Sequence, residues 1–199
     1  MKSKSILIGA TLIMATVLAL SVVALAQEEE TTEGATQQQK TQSMVILACA
    51  VAMAIAGIAS AIGISISGVS AAAVTAEKPE VFSKVLILEM LPMTQTIYAF
   101  IASVLLLMGA GLLGGAGSQS FLLDPTAGSS AIFVGLLIGL TGLSAINQGL
   151  IASAGITATG RNPAVAGRGI MLAVMPETIA IFWFLVGLLI MVLGLKILG

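Results

Sequence analysis

Met175-Pro176-Glu177-Thr178 interrupts an apolar run from Gly169 to Leu195 that holds no other charged residue. A run of about 20 apolar residues crosses a bilayer core, so this segment predicts a transmembrane helix with a carboxyl group inside it. An ionisable group at that depth costs at least ~2.5 kcal/mol to insert, and such residues mark ion pathways as a rule. Pro176 adds a second feature. A proline inside a helix leaves the carbonyl four residues back, here that of Leu172, without its donor. A bare carbonyl in lipid needs a helix, a water or an ion as partner. A carboxyl beside a loosened turn fits a site that takes up and releases a cation. The bland reading is a protonated Glu177 bonded to a neighbouring helix.

Composition generalises this reading to the whole chain. Of 199 residues, 58% are hydrophobic and only 9% charged, with a mean hydropathy of +1.12. Soluble domains carry about 25% charged residues, so this is an integral membrane protein in contact with lipid. No basic patch points to nucleic acid, and no motif calls for a cofactor. The chain has no His, which removes the usual general base. The single cysteine, Cys49, lies in an apolar run and reads as a small core residue.

Residues 1–26 read as a signal peptide: Lys2 and Lys4, an apolar stretch, then Ala24-Leu25-Ala26 before Gln27. A retained anchor helix is the alternative. Residues 27–43 are polar and acidic, a composition that builds no core, and predict a loosely ordered linker. Four apolar runs follow, at roughly 44–74, 80–113, 130–159 and 167–198. Short loops pair them into two helical hairpins, 44–113 and 130–199, joined by the connector 114–129.

The hairpins are repeats. An offset of 84 residues sets Pro79 on Pro163, Pro92 on Pro176, Thr94 on Thr178 and Lys84 on Arg168, with Ser60-Ala61-Ile62 on Ser144-Ala145-Ile146. Each hairpin crosses twice, so the duplication is parallel, unlike the inverted repeats of many transporters. The hairpin loops hold Lys78, Lys84, Arg161 and Arg168, whereas the connector holds only Asp124. The positive-inside rule then places the short loops in the cytoplasm and both mature termini outside, with Lys196 snorkelling to the outer interface. The first helix of each hairpin is rich in small residues and the second is bulkier. Small residues allow close helix approach in lipid. The expected fold is all-α, with thin helices inside and thick ones outside. This wedge suits closure of several copies into a ring, and a four-helix bundle within one chain is the simpler alternative.

Two tandem hairpins with a carboxylate in the last helix resemble the proteolipid ring component of V-type and archaeal-type rotary ATPases, the duplicated c subunit also called subunit K. The resemblance covers about 44–198. It rests on Leu91-Pro92-Met93-Thr94-Gln95-Thr96-Ile97-Tyr98, on Pro176-Glu177-Thr178, on Ala145-Ile146-Asn147-Gln148-Gly149, and on Lys-Pro and Asn-Pro in the loops. It implies that Glu177 is the ion carrier. Met93 occupies the matching place in the first hairpin, so one carrier remains per four helices. By resemblance to sodium-carrying members, the ligands are Thr94, Gln95, Gln148, Glu177 and the Leu91 carbonyl, with Tyr98 holding Glu177. The residue types agree, since hard cations take oxygen ligands, whereas an amide cluster around a proton site is surplus buried polarity. Na+ is therefore the expected ion and H+ the alternative. Interhelical hydrogen bonding explains Thr94, Gln95 or Gln148 singly better than all three together. Glu89 departs from the family pattern, which often has Gln there, and it is out of register with the carrier. It is not expected to be a second one.

The resemblance further implies a homo-oligomeric ring in the plasma membrane, a stator membrane subunit with an Arg, and a central-stalk subunit against the loops around Lys78 and Arg161. The chain has no G-x-x-x-x-G-K-[ST] loop, so nucleotide hydrolysis belongs to other subunits. Two other classes compete: a stand-alone channel or carrier built on one bundle, and a structural tetraspan.

Overall fold

The computed structural model describes residues 36–198, and the expected signal peptide at 1–26 lies outside them. Among the described residues there are helices and turns and no strand. Helices α1 (Gln37–Glu77), α2 (Phe82–Met90), α3 (Thr94–Gly109), α4 (Gln119–Leu122), α5 (Ala127–Leu140), α6 (Leu143–Arg161) and α7 (Ala166–Leu189) follow in order. They compose four spans long and apolar enough to cross a membrane: Gln37–Glu77, Pro79–Gly109, Ala127–Arg161 and Pro163–Gly194. The two tandem hairpins are therefore present, and the connector between them carries α4.

Proline punctuates the spans as its chemistry requires. Pro79 and Pro163 open short 3-10 turns that start the return helix of each hairpin, where a missing N–H costs nothing. Pro92 produces another 3-10 turn, Leu91–Met93, which divides α2 from α3. Its repeat partner Pro176 stays inside a continuous α7. The third span is interrupted at Thr141-Gly142, between α5 and α6. The fourth ends in a π-helical turn, Ile190–Gly194, with Leu195 N–H donating to Ile190 O five residues back.

The described part of the polar segment 27–43 differs from expectation. α1 begins at Gln37, behind a capping box in which Thr36 and Gln39 bond reciprocally. At 41 residues α1 is about 60 Å long, roughly twice the hydrocarbon core. Its polar first turns are held by the end of the second span and by the connector. Gln42 Nε2 donates to Ala110 O at 2.9 Å, Thr41 Oγ1 to Leu122 O at 3.2 Å and Gln37 Nε2 to Asp124 O at 3.3 Å. A local composition reading could not see these distant carbonyls.

α1, α5 and α6 form the tight inner layer. A Cβ placed on Gly149 would run into the backbone of Gly63, and one on Gly63 would meet the carbonyl of Ala145. Glycine at these crossings is what lets α1 and α6 touch backbone to backbone. The outer spans expose Phe100, Phe182 and Leu193, as a lipid-facing surface does. Cys49 is buried, with Sγ 3.5 Å from Ser103 O, in the core role expected of it.

Two apolar clusters fill the interior. One gathers Val45, Ala52, Leu106, Phe121, Ile138 and Met191. The other, towards the hairpin loops, gathers Val81, Val85, Leu88, Ile156 and Ala173. Gln95, Gln148 and Glu177 fall between these clusters along their helices. At the loop end, Lys78 Nζ donates to Gly160 O at 2.7 Å and Lys84 Nζ to Pro163 O at 3.1 Å. Both bonds tie the first hairpin's loop to the second, and the former places a cation at the C-terminal end of α6, where the helix dipole favours it.

Candidate ion-binding site

The site is built where three spans meet. The Pro92 turn and the start of α3 supply Leu91, Thr94, Gln95 and Tyr98, α6 supplies Gln148, and α7 supplies Glu177. Gln95 and Gln148 are fully buried, and Glu177 is only 9% exposed. All six residues expected from the sequence come together.

Tyr98 Oη donates to Glu177 Oε1 at 2.8 Å, and Gln148 Nε2 to Glu177 Oε2 at 3.3 Å. Both donors are neutral, so neither offsets a charge on the carboxylate. Gln95 Nε2 donates to Gln148 Oε1 at 2.8 Å. Thr94 Oγ1 lies 3.0 Å from Leu91 O and 3.2 Å from Gln95 Oε1. Three oxygens of different chemistry thus cluster beside the carboxylate chain: a backbone carbonyl, a hydroxyl and an amide oxygen. The 3-10 geometry at Leu91–Met93 explains the carbonyl. Pro92 brings no N–H, and the Leu91 carbonyl accepts from both the Thr94 N–H and the Thr94 hydroxyl.

One detail departs from the expected ligand set. Gln148 turns its nitrogen, not its oxygen, towards Glu177, while its oxygen accepts from Gln95. The amide orientation follows from the hydrogen-bond network. Gln148 serves as an oxygen ligand only after rotation about its last torsion, which is a broad and soft one.

Sequence reasoning missed Ser144. Its Oγ accepts from Gln95 Nε2 at 3.0 Å and donates to Thr141 O at 2.8 Å. The Ser144 repeat match was visible, but the side chain it faces was not. Glu89 stays apart from the cluster. Its half-buried carboxylate faces α1 at Gly68, where an added Cβ would lie 3.0 Å from Oε1.

Tyr98 also stacks on Phe184, with ring centroids 5.1 Å apart and planes inclined by 22°. Tyr98→Phe keeps the ring contact and removes only the hydroxyl. A hydrogen bond to a charged group contributes about 1.5–3 kcal/mol. The substitution is therefore expected to weaken occupation of the carboxylate site by roughly 10- to 100-fold, read as the cation concentration that half-protects Glu177 from carbodiimide. Unchanged protection overturns the holding role of Tyr98.

The family model for the C subunit of ATP synthase matches twice, at residues 47–106 and 132–190, once for each hairpin. The A-type ATP synthase subunit K of Methanocaldococcus jannaschii is 38% identical over 146 residues, which are 73% of this chain and 62% of that relative. The chain thus spans somewhat under two thirds of that relative's length. The V-type sodium ATPase subunit K of Enterococcus hirae is 36% identical over 147 residues, 72% of this chain and 87% of that one. With both hairpins matched and the repeat visible in sequence and structure, the chain belongs to the family of ATP synthase C subunits, in its duplicated four-span form.

Proposed function

We propose that this chain is a rotor-ring subunit of a V/A-type rotary ATPase and that Glu177 carries Na+ across the membrane, one ion per chain. The observation that carries the reading is a buried carboxylate, in the middle of a span, whose hydrogen-bond donors are both neutral. A charge so placed is costly in lipid. A bound cation removes the cost and lets the subunit turn through the bilayer, and loss of the cation restores it.

The choice of Na+ over H+ rests on the donor set. Thr94 Oγ1, Gln95 Oε1 and Leu91 O lie together on the Pro92 turn, and oxygen ligands suit a hard cation. In this mechanism the arriving ion takes the place of the Thr94 and Gln148 hydrogen-bond partners. Gln148 turns its oxygen inward, and Tyr98 keeps its bond to Glu177. The Enterococcus hirae relative is named as a sodium ATPase subunit, which favours the same ion.

Several copies form the ring in the plasma membrane, with lipid and neighbouring copies against the exposed outer spans. The hairpin loops lie in the cytoplasm. There the ties from Lys78 and Lys84 join both loops into one platform for the central stalk. A stator subunit with an Arg discharges Glu177. Nucleotide hydrolysis or synthesis takes place in other subunits.

The test is labelling of the purified assembly by dicyclohexylcarbodiimide, which attacks protonated buried carboxyls. Reaction at Glu177, with protection by NaCl and none by KCl at equal ionic strength and pH, is the expected result. Equal labelling in both salts replaces Na+ by H+. Labelling of Glu89 in place of Glu177 overturns the carrier assignment.

A further inference from the structure

We infer that Ser144 is a positioning residue for ion binding: its hydroxyl fixes which end of the Gln95 amide faces the ion. The inference rests on the reading of Glu177 and Gln95 as part of a cation site, and goes beyond it by assigning a residue to the specificity of that site.

Ser144 has one hydroxyl proton, and Thr141 O takes it at 2.8 Å. That leaves Ser144 Oγ towards Gln95 as an acceptor only. The break between α5 and α6 at Thr141-Gly142 is what presents the Thr141 carbonyl to Ser144. An acceptor can face only the nitrogen end of an amide. Gln95 Nε2 accordingly donates to Ser144 at 3.0 Å and to Gln148 Oε1 at 2.8 Å, so both of its hydrogens are used. The oxygen end is then forced the other way, to Thr94 Oγ1 and the Leu91 carbonyl cluster.

The second partner is not permanent. When Gln148 turns its oxygen towards an ion, Gln95 loses that acceptor, and Ser144 is the one that remains. Without it the two ends of the Gln95 amide become nearly equivalent to the protein. A fraction of sites then presents NH2 to the cation, which cannot bind it.

The internal repeat provides a comparison within the same chain. Ser60 is the counterpart of Ser144. Its Oγ is buried and has no hydrogen-bond partner among the described residues. The counterpart of Gln95 is Ile179, and that of Glu177 is Met93. Ser144 of the second hairpin, which keeps Glu177, is thus engaged by Gln95 of the first, whereas Ser60, whose hairpin has Met93 in place of the carboxylate, has no partner among the described residues, and Gln95's counterpart Ile179 brings no amide to it.

The experiment compares Ser144→Ala, Ser144→Thr and Ser60→Ala with the unaltered protein in the assembled complex. Two quantities are read: the Na+ concentration giving half protection of Glu177 from carbodiimide, and maximal ATP-driven turnover at saturating Na+. Ser144→Ala is expected to raise the half-protecting concentration roughly tenfold, the equivalent of one hydrogen bond, with maximal turnover kept. Ser144→Thr retains the acceptor. A cavity of about 180 Å3, lined in part by Ser144, Thr141, Asn147 and Trp183, takes up the added methyl, so this variant restores protection. Ser60→Ala leaves both quantities unchanged.

A Ser144→Ala complex with unaltered Na+ dependence overturns the inference. So does equal loss in the Ala and Thr variants, or loss confined to assembly and maximal turnover, since each reports packing at that position. If the unaltered protein shows no Na+ protection, the sodium reading fails and the inference fails with it. Protection in the unaltered protein with no change in Ser144→Ala overturns the inference alone.

Discussion

Glu177→Gln is expected to abolish ATP-driven ion uptake into vesicles and labelling by carbodiimide, while the protein still assembles. Glutamine matches the carboxylate in size, and its oxygen still accepts from Tyr98, so the contact at 2.8 Å survives. What disappears is the change of charge. An amide at 9% exposure carries no charge to be neutralised by a cation and none to be restored at the stator. The subunit becomes permanently able to enter lipid and permanently unable to hold an ion, so transport falls by about two orders of magnitude or more, equivalent to at least ~2.7 kcal/mol. Uptake is measured with 22Na+ or a pH-sensitive dye, alongside ATPase activity. Uptake retained at more than about a tenth of the unaltered rate, a loss of less than ~1.4 kcal/mol, would mean that another group carries the ion.

The second large effect concerns assembly rather than ion binding. Gly149→Ala adds one methyl where α6 crosses α1, and the atoms it meets include the Cα and carbonyl carbon of Gly63, both at 2.6 Å. Backbone cannot swing aside as a side chain can. Overpacking costs about 1–3 kcal/mol where neighbours can relax, and here two long helices must move apart together. Gly149 also follows Gln148, so such a shift displaces the amide from Glu177, now 3.3 Å away. The expected outcome is a marked fall in the temperature at which the detergent-purified protein loses its helical packing, together with weaker Na+ protection. Gly167→Ala is the control. An added Cβ there meets nothing within 4 Å, and Ala is the better helix former by about 0.5–1 kcal/mol. Equal melting of the two variants would show that the α1–α6 crossing is not close-packed.

Charge, packing and ion preference are separable at this site. Glu177→Gln removes the charge and keeps the packing, whereas Gly149→Ala does the reverse. Tyr98→Phe and Ser144→Ala leave the carboxylate intact and alter only its surroundings, so on the proposed reading they are expected to move the Na+ dependence while Glu177 stays in place.

Much of this arrangement is legible in the chain itself, for physical reasons tied to particular residues. A carboxyl in an apolar run from Gly169 to Leu195 has no structural excuse in lipid, so Glu177 stands out. Prolines are confined by their missing N–H, so Pro79 and Pro163, with Pro92 and Pro176, expose both the hairpins and their repeat. Apolar length alone sets the number of spans. Polar residues whose partners are remote in the chain are harder to place. The stretch 37–43 reads as unstructured because its hydrogen-bond acceptors, at Ala110, Leu122 and Asp124, lie 68, 81 and 87 residues from their donors in sequence. Pro92 and Pro176 occupy equivalent positions, yet one opens a 3-10 turn and the other rides inside a helix.

A duplicated four-span membrane protein with a carboxyl group inside its last span follows from residue order alone, because hydrophobic length, proline chemistry and the cost of a buried charge are local properties. That Ser144 faces Gln95, that Gln148 offers its nitrogen to Glu177, and that Ser60 lacks a partner among the described residues emerge only once the helices are packed. Hydrogen-bond partnership between helices depends on their relative rotation and depth, and those are set by backbone contacts such as Gly63 on Gly149 rather than by any residue's own character.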